Sequence, residues 1–245
     1  MALPDRSTIW GEWFMNESSG TNVPNTSSIG ASGDLTTGNS PTWVSGKIDN
    51  CLNFSPASSH ALAANATIFN PDYDDAFSVN YWPNGVATGV KRIFSKFGTK
   101  GILIGGIGTR RAHFQLYGSA GSNLQVTGTT AMTDSVWHNV GWSYDGSTNA
   151  SGTTCVQDGS EETIIVITDT LSSTILDAVA KFEISGYNNG AAQFWDGLVD
   201  IARFSTIGTE WTVLNHQAFW NSGAGVEEYP SVGGGSDDHI KRYYY

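Results

Sequence analysis

The sequence predicts an all-β protein in which many short strands form an antiparallel sandwich or barrel. Apolar and polar residues alternate over short runs, as they do when one face of a strand is buried. Gly, Asn, Asp or Pro ends almost every run, which is typical of turns between neighbouring strands. Helical periodicity is nearly absent, and this argues against alternating strand–helix units with a parallel sheet. The 245 residues are enough for one large domain with its own core.

The composition limits the partners of the protein. Charged residues make up 14% of the chain, well below the roughly 25% of an ordinary soluble protein. The formal net charge is -11, and no stripe of basic residues could neutralise phosphates, which argues against nucleic acid and anionic membranes. No apolar run approaches the roughly 20 residues of a membrane span. Residues 1–13 lack the apolar core of a secretory signal.

The stretch DSVWHNVGWSYDG (134–146) shows how individual strands are predicted. Side chains alternate between the two faces of a strand. One face therefore carries Val136, His138, Val140, Trp142 and Tyr144. Asp145-Gly146 tolerates the positive φ of a tight turn. We predict a half-buried strand that ends in this turn.

The other runs predict further strands in the order of the chain. Residues 153–162 predict a hairpin about Asp158-Gly159, and residues 163–168 predict a buried strand. Pro83-Asn84-Gly85 is expected to end the strand that precedes it. The remaining predicted strands are 77–82, 92–98, 101–106, 112–118, 123–128, 181–190 and 194–205.

Residues 209–220 form the one predicted helix, and the composition changes after it. Thr209 is expected to cap the helix, with Trp211, Leu214 and Ala218 on one face. A Gly-rich linker and a basic, aromatic end are typical of a tail. We therefore predict one domain over 1–222, followed by a linker and C-terminal arm over 223–245.

Seven motifs occur in an order that resembles a known family. They are WFMNESSG (13–20), VSGKIDNCLNF (44–54), FSVNYW (77–82), RIFSKFG (92–98), WHNVGWSYDG (137–146), CVQDG (155–159) and FWDGLVDIARFS (194–205). Over roughly residues 10–222 the chain resembles the laminin-G-like domains of the concanavalin A-like lectin/glucanase superfamily. The resemblance implies a jelly-roll β-sandwich of two antiparallel sheets about 10 Å apart, with one short C-terminal helix and an extended tail. Members of the superfamily include glycan-binding modules, glycoside hydrolases, adhesion domains and structural parts of phage particles, so function must be argued from residues.

The acidic residues do not form the pair that glycoside hydrolysis requires. The two carboxyl groups must lie about 5–5.5 Å apart for retention, or about 6.5–9.5 Å apart for inversion. Asp196 and Asp200 are four residues apart on one strand, about 13 Å at 3.3 Å per residue. Asp72 and Asp74 have a suitable spacing, but the Asn-Pro start of NPDYDD predicts a solvated turn. We predict no catalytic residue, with a glycoside hydrolase as the last alternative.

Sugar-binding residues are predicted in one loop and beside one turn. Aromatic planes hold the C–H faces of a sugar, while amide and carboxylate groups bind its hydroxyls. The candidates in the loop GYNNGAAQFWDG (186–197) are Tyr187, Asn188, Asn189, Gln193 and Trp195, and those beside the turn are Trp82 and Asn84. The alternative is that most tryptophans belong to the core or cover a sheet.

The resemblance also implies a calcium ion at the rim of the sandwich, bound by carboxylate and carbonyl oxygens. Asp200, in GLVD, would be one ligand. Where the family commonly has an acid in an early loop, this chain has Asn25, or the acid is displaced to Asp34. Cys51 and Cys155 are predicted to be buried thiols, with a single disulfide as the alternative.

Two classes of function remain. The first is a non-catalytic protein displayed on a virion surface, such as a phage decoration or fibre protein with glycan affinity, whose partners are other protein subunits. Its C-terminal arm would add as a strand to a neighbour's sheet edge. The residues of this arm are Ile240, Lys241, Arg242, Tyr243, Tyr244 and Tyr245. The alternative is a free, extracellular carbohydrate-binding lectin module.

Overall fold

Two antiparallel sheets face each other across an apolar core, which confirms the predicted β-sandwich. The structure, a computed structural model, describes residues 2–54, 59–63, 67–85, 89–108 and 110–227. One sheet has eight strands and the other has nine. Within these ranges, no helix is long and apolar enough to cross a membrane.

The strands of the described chain are short and follow one another with turns or loops between them. In chain order they are β1 (Ile9–Trp13), β2 (Asn22–Val23), β3 (Leu35–Gly38), β4 (Thr42–Ser45), β5 (Asn50–Asn53), β6 (His60–Ala63), β7 (Phe77–Gly85), β8 (Lys91–Phe97), β9 (Gly101–Ile107), β10 (Arg111–Tyr117), β11 (Asn123–Ala131), β12 (Val140–Tyr144), β13 (Thr153–Gln157), β14 (Ser160–Glu162), β15 (Ile164–Asp169), β16 (Phe182–Ile184) and β17 (Gly197–Ser205). The helix α1 (Val213–Trp220) follows the last strand.

Strand order differs from chain order in both sheets. The eight-stranded sheet runs β14-β13-β12-β7-β17-β5-β4, with β1 paired to β17. The nine-stranded sheet runs β15-β11-β10-β9-β8-β16-β6-β3-β2. β13 and β14 form the predicted hairpin about Asp158-Gly159. β17, the last strand, therefore lies inside its sheet, where it pairs with β1, β5 and β7.

Aromatic side chains fill the space between the sheets. Phe77 of β7 stacks on Phe204 of β17, with ring centroids 5.4 Å apart. Phe204 meets Phe182 of the opposite sheet edge-on at 5.7 Å. Ring contacts of this kind are worth about 0.5–1.5 kcal/mol each beyond their buried area. Cys51 and Cys155 are both buried and unpaired, as the first of the two cysteine alternatives predicts.

The Trp-rich strand of the sequence analysis is β12, and both of its faces are buried. It begins only at Val140, so that Val136 lies outside the strand and is 45% exposed. The prediction of a half-buried strand is wrong because α1 covers the second face. There, Ser143 Oγ lies 2.9 Å from His216 Nε2. A Cβ at Gly141 would lie 2.2 Å from the same imidazole, so the helix approaches closely where the strand has glycine.

β7 continues beyond its predicted end. It includes Pro83 and reaches Gly85, although proline cannot donate to a strand ladder. The pairing of β7 with β12 extends only to Tyr81. The missing N–H of Pro83 therefore lies beyond the part of β7 that pairs with β12.

β15, predicted as a buried strand, lies at the edge of the nine-stranded sheet. Its described partner is β11 on one side. Ile165, Val166 and Ile167 are 39%, 51% and 48% exposed. The prediction is wrong because a continuous apolar run is the same in sequence whether or not other residues cover it.

The N-cap of the helix lies three residues after the predicted one. Thr212, not Thr209, is the N-cap, and its side chain accepts a hydrogen bond from the backbone N–H of Asn215. Leu214 is 61% exposed, which corrects its predicted place on the apolar face. The buried residues of α1 are His216, Ala218 and Phe219.

Candidate binding site

A trough follows β9 on the outer face of the nine-stranded sheet, the face turned away from the core. Ile104 points into the core, so the outer positions of β9 are Gly101, Leu103, Gly105 and Ile107. A Cβ at Gly105 would lie 2.1 Å from the carbonyl oxygen of Lys91. Because two of these four outer positions lack a side chain, residues of β8 and β10 meet across β9 at the two glycines. We call this region the β9 trough.

Arg92 of β8 places a buried charge in the β9 trough, where it is 4% exposed. Its Nε donates to Gln193 Oε1 at 2.9 Å, and its Nη1 donates to His113 Nδ1 at 2.7 Å. Its Nη2 donates to Gln115 Oε1 at a longer 3.4 Å. Burial lowers the pKa of Arg92 to about 10, and the neighbouring Tyr187 opposes this effect. The guanidinium is therefore still charged at neutral pH.

His113 connects Arg92 to the surface through a chain of hydrogen bonds. Burial, and secondarily the charge of Arg92, lower the pKa of His113 to about 3, so its ring is neutral. Since Nδ1 accepts from Arg92, the ring proton lies on Nε2. Nε2 is 2.9 Å from the amide of Gln125, which must present its oxygen here. Gln125 is half-buried, so the network reaches solvent at this residue.

The loop of residues 185–194 borders the trough beside β8. Its backbone turns back on itself, because Tyr187 N donates to Ala192 O at 3.0 Å. Asn188 and Asn189 have φ values of 59° and 58°. Asn adopts this left-handed region more readily than most residues. The sequence YNNG therefore suits the turn of this loop.

The sheet binds this loop at two points. The backbone N–H of Arg92 donates to the carbonyl oxygen of Gln193 at 2.8 Å. On the other side, Glu183 accepts from Gly190 N at 2.7 Å and from Ser95 Oγ at 3.0 Å. Burial raises the pKa of Glu183 to about 7, although these hydrogen bonds oppose the rise. The carboxyl group thus acts as an acceptor that fixes the loop.

Three half-buried rings lie together at the Gly101 end of the trough. The ring centroid of Phe97 is 5.9 Å from that of Tyr117 and 5.5 Å from that of Tyr187, and both contacts are edge-on. Phe97 and Tyr117 both lie opposite Gly101 in the strand register. Rings of this kind offer apolar surface that is still open to solvent. We call these three residues the aromatic cluster.

Four of the predicted sugar-binding residues lie in this loop. Tyr187 belongs to the aromatic cluster, and Gln193 binds Arg92. Asn188 and Asn189 are exposed, and Asn189 Oδ1 accepts from the backbone N–H of Lys181 at 2.9 Å. The structure therefore brings these four residues together beside the trough.

The other three predicted sugar-binding residues lie elsewhere. Trp195 is in the core, and Trp82 lies on the outer face of the eight-stranded sheet, with Lys47 Nζ 4.9 Å from its ring. Each tryptophan is 1% exposed, so a sugar could stack on neither without a rearrangement. Asn84 is half-buried near the end of β7. The positions of both indoles are those of the alternative, in which tryptophans fill the core or cover a sheet.

The predicted calcium ligands are divided between two hydrogen-bond networks, one with Asn25 and Asp34 and the other with Asp200. Asn25 Oδ1 accepts two backbone N–H groups, and Asn25 N donates to Asp34 Oδ1 at 2.8 Å. Asp200 Oδ2 accepts from the backbone N–H groups of Lys47 and Ile48 at 2.7 and 3.1 Å. The side-chain oxygen of Asn25 has no capacity left for a cation. In the described part of the chain, no group of three or more His, Cys, Asp or Glu residues could hold a metal ion. The three residues therefore do not fit one calcium site.

The acids considered for hydrolysis serve local structure. Asp72 Oδ1 accepts from Ile175 N at 2.9 Å, and its Oδ2 accepts from Thr174 Oγ1 at 3.0 Å. Asp200 is fully buried, whereas Asp196 is exposed. Asp72 thus joins the turn at 70–75 to the segment that precedes β16.

Sequence reasoning missed the side chains that build the trough itself. They are Arg92 and Phe97 of β8 and His113, Gln115 and Tyr117 of β10. A signal exists in RIFSKFG, GILIGG and AHFQLYG, where glycines in the middle run stand opposite polar or aromatic residues in its neighbours. This signal becomes readable only when the three runs are known to be adjacent strands.

The fold is similar to those of several solved structures. Similar structures include the binding domain of Paraclostridial mosquitocidal protein 1 (TM-score 0.64, 11% identity, 89% of this chain and 52% of that one). They also include domain 4 of AbnA, a GH43 extracellular arabinanase from Geobacillus stearothermophilus, in complex with arabinotriose (0.58, 15%, 86% and 97%). A third is a Trypanosoma rangeli sialidase (0.60, 12%, 92% and 34%). The chain thus spans about half the length of the first and about a third of the length of the third.

At these identities the likenesses establish the fold alone, a sandwich compatible with the concanavalin A-like type. No family model matches the sequence, and no curated protein matches it either. The narrower laminin-G-like membership stays a prediction.

Proposed function

We propose that the protein is a non-catalytic carbohydrate-binding module that holds its sugar at the β9 trough. The observation that carries this proposal is the aromatic cluster of Phe97, Tyr117 and Tyr187, whose rings are only half-buried. Sugars present C–H faces that suit such rings and hydroxyls that suit neighbouring amides. The amides of Gln125 and Gln193 lie at the same trough.

The similar arabinanase domain adds support from the same fold, because that domain was solved in complex with arabinotriose. Strand positions, rather than loops alone, supply most of the trough. A site on strands is held more rigidly than one built from loops. The proposal therefore assigns most of the recognition to the face of the sheet, while the loop of residues 185–194 contributes Tyr187 and borders the trough.

A glycan array, followed by calorimetry with the best sugar, tests the proposal. We expect Tyr187→Ala to weaken binding about 10-fold, or about 1.4 kcal/mol, since ring contacts are worth about 0.5–1.5 kcal/mol beyond their buried area. Tyr187→Phe keeps the ring and should retain most of the affinity. Trp43→Ala removes a half-buried ring from the other sheet and is the matched control. Absence of binding to any sugar, or equal losses in Tyr187→Ala and Trp43→Ala, would contradict the assignment.

A second candidate is a structural role on a virion surface, as the sequence analysis predicts, and the edge strand β15 favours it. An edge strand exposes unpaired backbone groups that accept a further strand. Three successive apolar residues of β15 are exposed. The arm Ile240–Tyr245 lies outside the described residues. We propose that the arm of one copy adds to β15 of another, where the basic pair Lys241-Arg242 suits a chain of net charge -11.

Two measurements would test this second candidate. Light scattering on the purified protein measures self-association, and co-sedimentation with virions measures attachment to the particle. Deletion of residues 228–245, all outside the described ranges, should abolish association while the melting temperature stays unchanged. Val166→Lys should do the same from the acceptor side, because a charged side chain on an edge blocks strand addition. Association that survives both changes would exclude this route of assembly.

A further inference from the structure

The charge of Arg92 is unusual because no acid in the described part of the chain neutralises it. Its three hydrogen-bond acceptors are the amide oxygens of Gln193 and Gln115 and the neutral ring of His113. None of the four ion pairs among the described residues includes Arg92. Burial of a charge without a counter-charge costs several kcal/mol. We infer that the negative charge that would balance Arg92 belongs to a bound ligand.

The guanidinium still has hydrogen-bonding capacity. It carries five N–H groups, and the three acceptors use three of them, which leaves two on the terminal nitrogens. The contact of Nη2 with Gln115 is the longest of the three at 3.4 Å. An incoming acceptor displaces that contact at the smallest loss. One free donor is thus on Nη2, which also makes the weakest of the three contacts, and the other is on Nη1.

Half-buried polar side chains connect this group to the surface. Gln193, which caps Nε, is half-buried and belongs to the loop that borders the trough. Asn123 extends the network on the other side, since its Oδ1 accepts from Gln115 Nε2 at 3.2 Å. Glu183, an acid below the same loop, is fully buried and bound by Ser95 and Gly190. It is therefore held by other partners.

We propose that Arg92 binds a carboxylate of the sugar, so that the β9 trough recognises acidic carbohydrates such as uronic acids. The inference rests on the proposed function and adds the chemical class of the ligand. A planar guanidinium matches a planar carboxylate through two parallel N–H···O contacts. The aromatic cluster would hold the ring of the same sugar or of its neighbour. Arg92 acts here as a specificity-determining residue.

Two ligands that differ only in charge make the test direct. Trigalacturonic acid and its methyl ester have the same sugar rings, and calorimetry with the full-length protein measures both affinities. We expect the acid to bind about 10-fold more tightly than the ester. Arg92→Gln should remove this difference, because it should weaken binding of the acid more than binding of the ester. Arg92→Lys keeps the charge without the fork, and should retain part of the preference.

Controls separate the inference from the proposed function. Arg111→Gln removes a half-buried arginine from the same sheet and should leave the preference intact. Circular dichroism of each variant verifies folding. If the wild type binds acid and ester equally, or Arg92→Gln weakens both alike, the carboxylate assignment fails while sugar binding stands. If the wild type binds neither ligand nor any sugar on the array, the proposed function fails and the carboxylate assignment with it. A sulfated trisaccharide that binds as well as the acid would overturn recognition of carboxylate in particular.

Discussion

Each outer face of the sandwich carries a buried arginine, and the two faces treat it in opposite ways. Arg203 of the eight-stranded sheet is fully buried, and its Nε donates to the buried carboxylate of Glu12 at 3.0 Å. Arg6 approaches the same carboxylate at 2.7 Å from the surface. Arg92 of the nine-stranded sheet has only neutral acceptors. The buried charge of the first face is thus neutralised by an acid, whereas the buried charge of the second has only neutral hydrogen-bond acceptors among the described residues.

The elements that lie against the two outer faces also differ. On the eight-stranded sheet, α1 carries a capping box between Thr212 and Asn215 and seals a buried network at His216. On the nine-stranded sheet, a loop with residues of positive φ borders the trough. Loops of this kind are where proteins commonly place binding residues. The eight-stranded sheet is thus covered by a packed helix, whereas the nine-stranded sheet is bordered by a loop, the arrangement on which the proposed binding function relies.

The largest effect on stability is expected in the eight-stranded sheet. Glu12→Gln would leave Arg203 buried without its counter-charge, and we expect a loss of about 3–5 kcal/mol in the free energy of unfolding. Urea unfolding measures it. Arg6→Gln, which removes the 40% exposed partner, should cost less than about 1 kcal/mol. Similar small losses in both variants would show that the buried pair does not carry the stability of this face.

The next largest effect concerns Glu183 of the nine-stranded sheet, whose contribution to stability depends on pH. Its pKa rises from 4.5 to about 7 on folding because of burial, so the folded state binds the proton more tightly than the unfolded state. Stability from this group is present below about pH 4.5 and is lost as the pH rises through about 7, by about 3 kcal/mol at most. Glu183→Gln should therefore reduce the loss of melting temperature between about pH 5 and pH 8.

Glu161→Gln, at an exposed position of β14, is the control for this titration and should follow the wild-type profile. Other buried acids contribute to the wild-type profile, because burial also raises the pKa of Glu227 to about 7. The difference between profiles is thus the informative quantity. If the melting temperatures of wild type and Glu183→Gln changed in parallel with pH, protonation of Glu183 would not contribute to the pH dependence of stability.

A smaller effect is expected at the border of the trough. Asn188 has a φ of 59°, where alanine is disfavoured, so Asn188→Ala should lower the free energy of unfolding by about 1 kcal/mol. Asn188→Gly should lower it by less, because glycine adopts this conformation without a Cβ penalty. Chemical denaturation of both variants measures the difference. Equal losses would mean that the backbone conformation at this position contributes nothing.

The smallest effect on stability should be that of Arg92→Gln. Removal of a charge buried without a counter-charge offsets the hydrogen bonds that are lost, and we expect a change of about 0.5 kcal/mol or less. The same denaturation experiment as for Glu12→Gln measures it. A loss as large as that of Glu12→Gln would place Arg92 among the structural arginines and remove the contrast between the two faces.

The sequence was sufficient for the fold class because alternation and turn residues are local signals. The strands at 92–98, 101–106 and 112–118 all appear where the runs predict them. The sequence was insufficient to predict which residues are buried: Trp82, expected to contact a sugar, is buried, and β15, expected to be buried, is exposed. Whether an apolar residue is covered depends on which element crosses it, and that is a long-range property.

The candidate site was predictable only in part for the same reason. Tyr187, Asn188, Asn189 and Gln193 lie in one polar, aromatic loop, so composition alone identifies them. Arg92 and His113 are 21 residues apart and meet because β9 lies between their strands with Gly105. No local pattern reports such a contact. It follows from strand order, which the sequence pattern does not specify.

The interior position of β17 has a consequence for how the protein is made. β17 pairs with β1 near the other end of the chain and with β5 and β7. A nascent chain that has not yet emerged as far as Ser205 leaves edges of these earlier strands unpaired. The sheet therefore cannot close until β17 has been synthesised, and growing chains that have not reached β17 would depend on chaperones more than chains that include it.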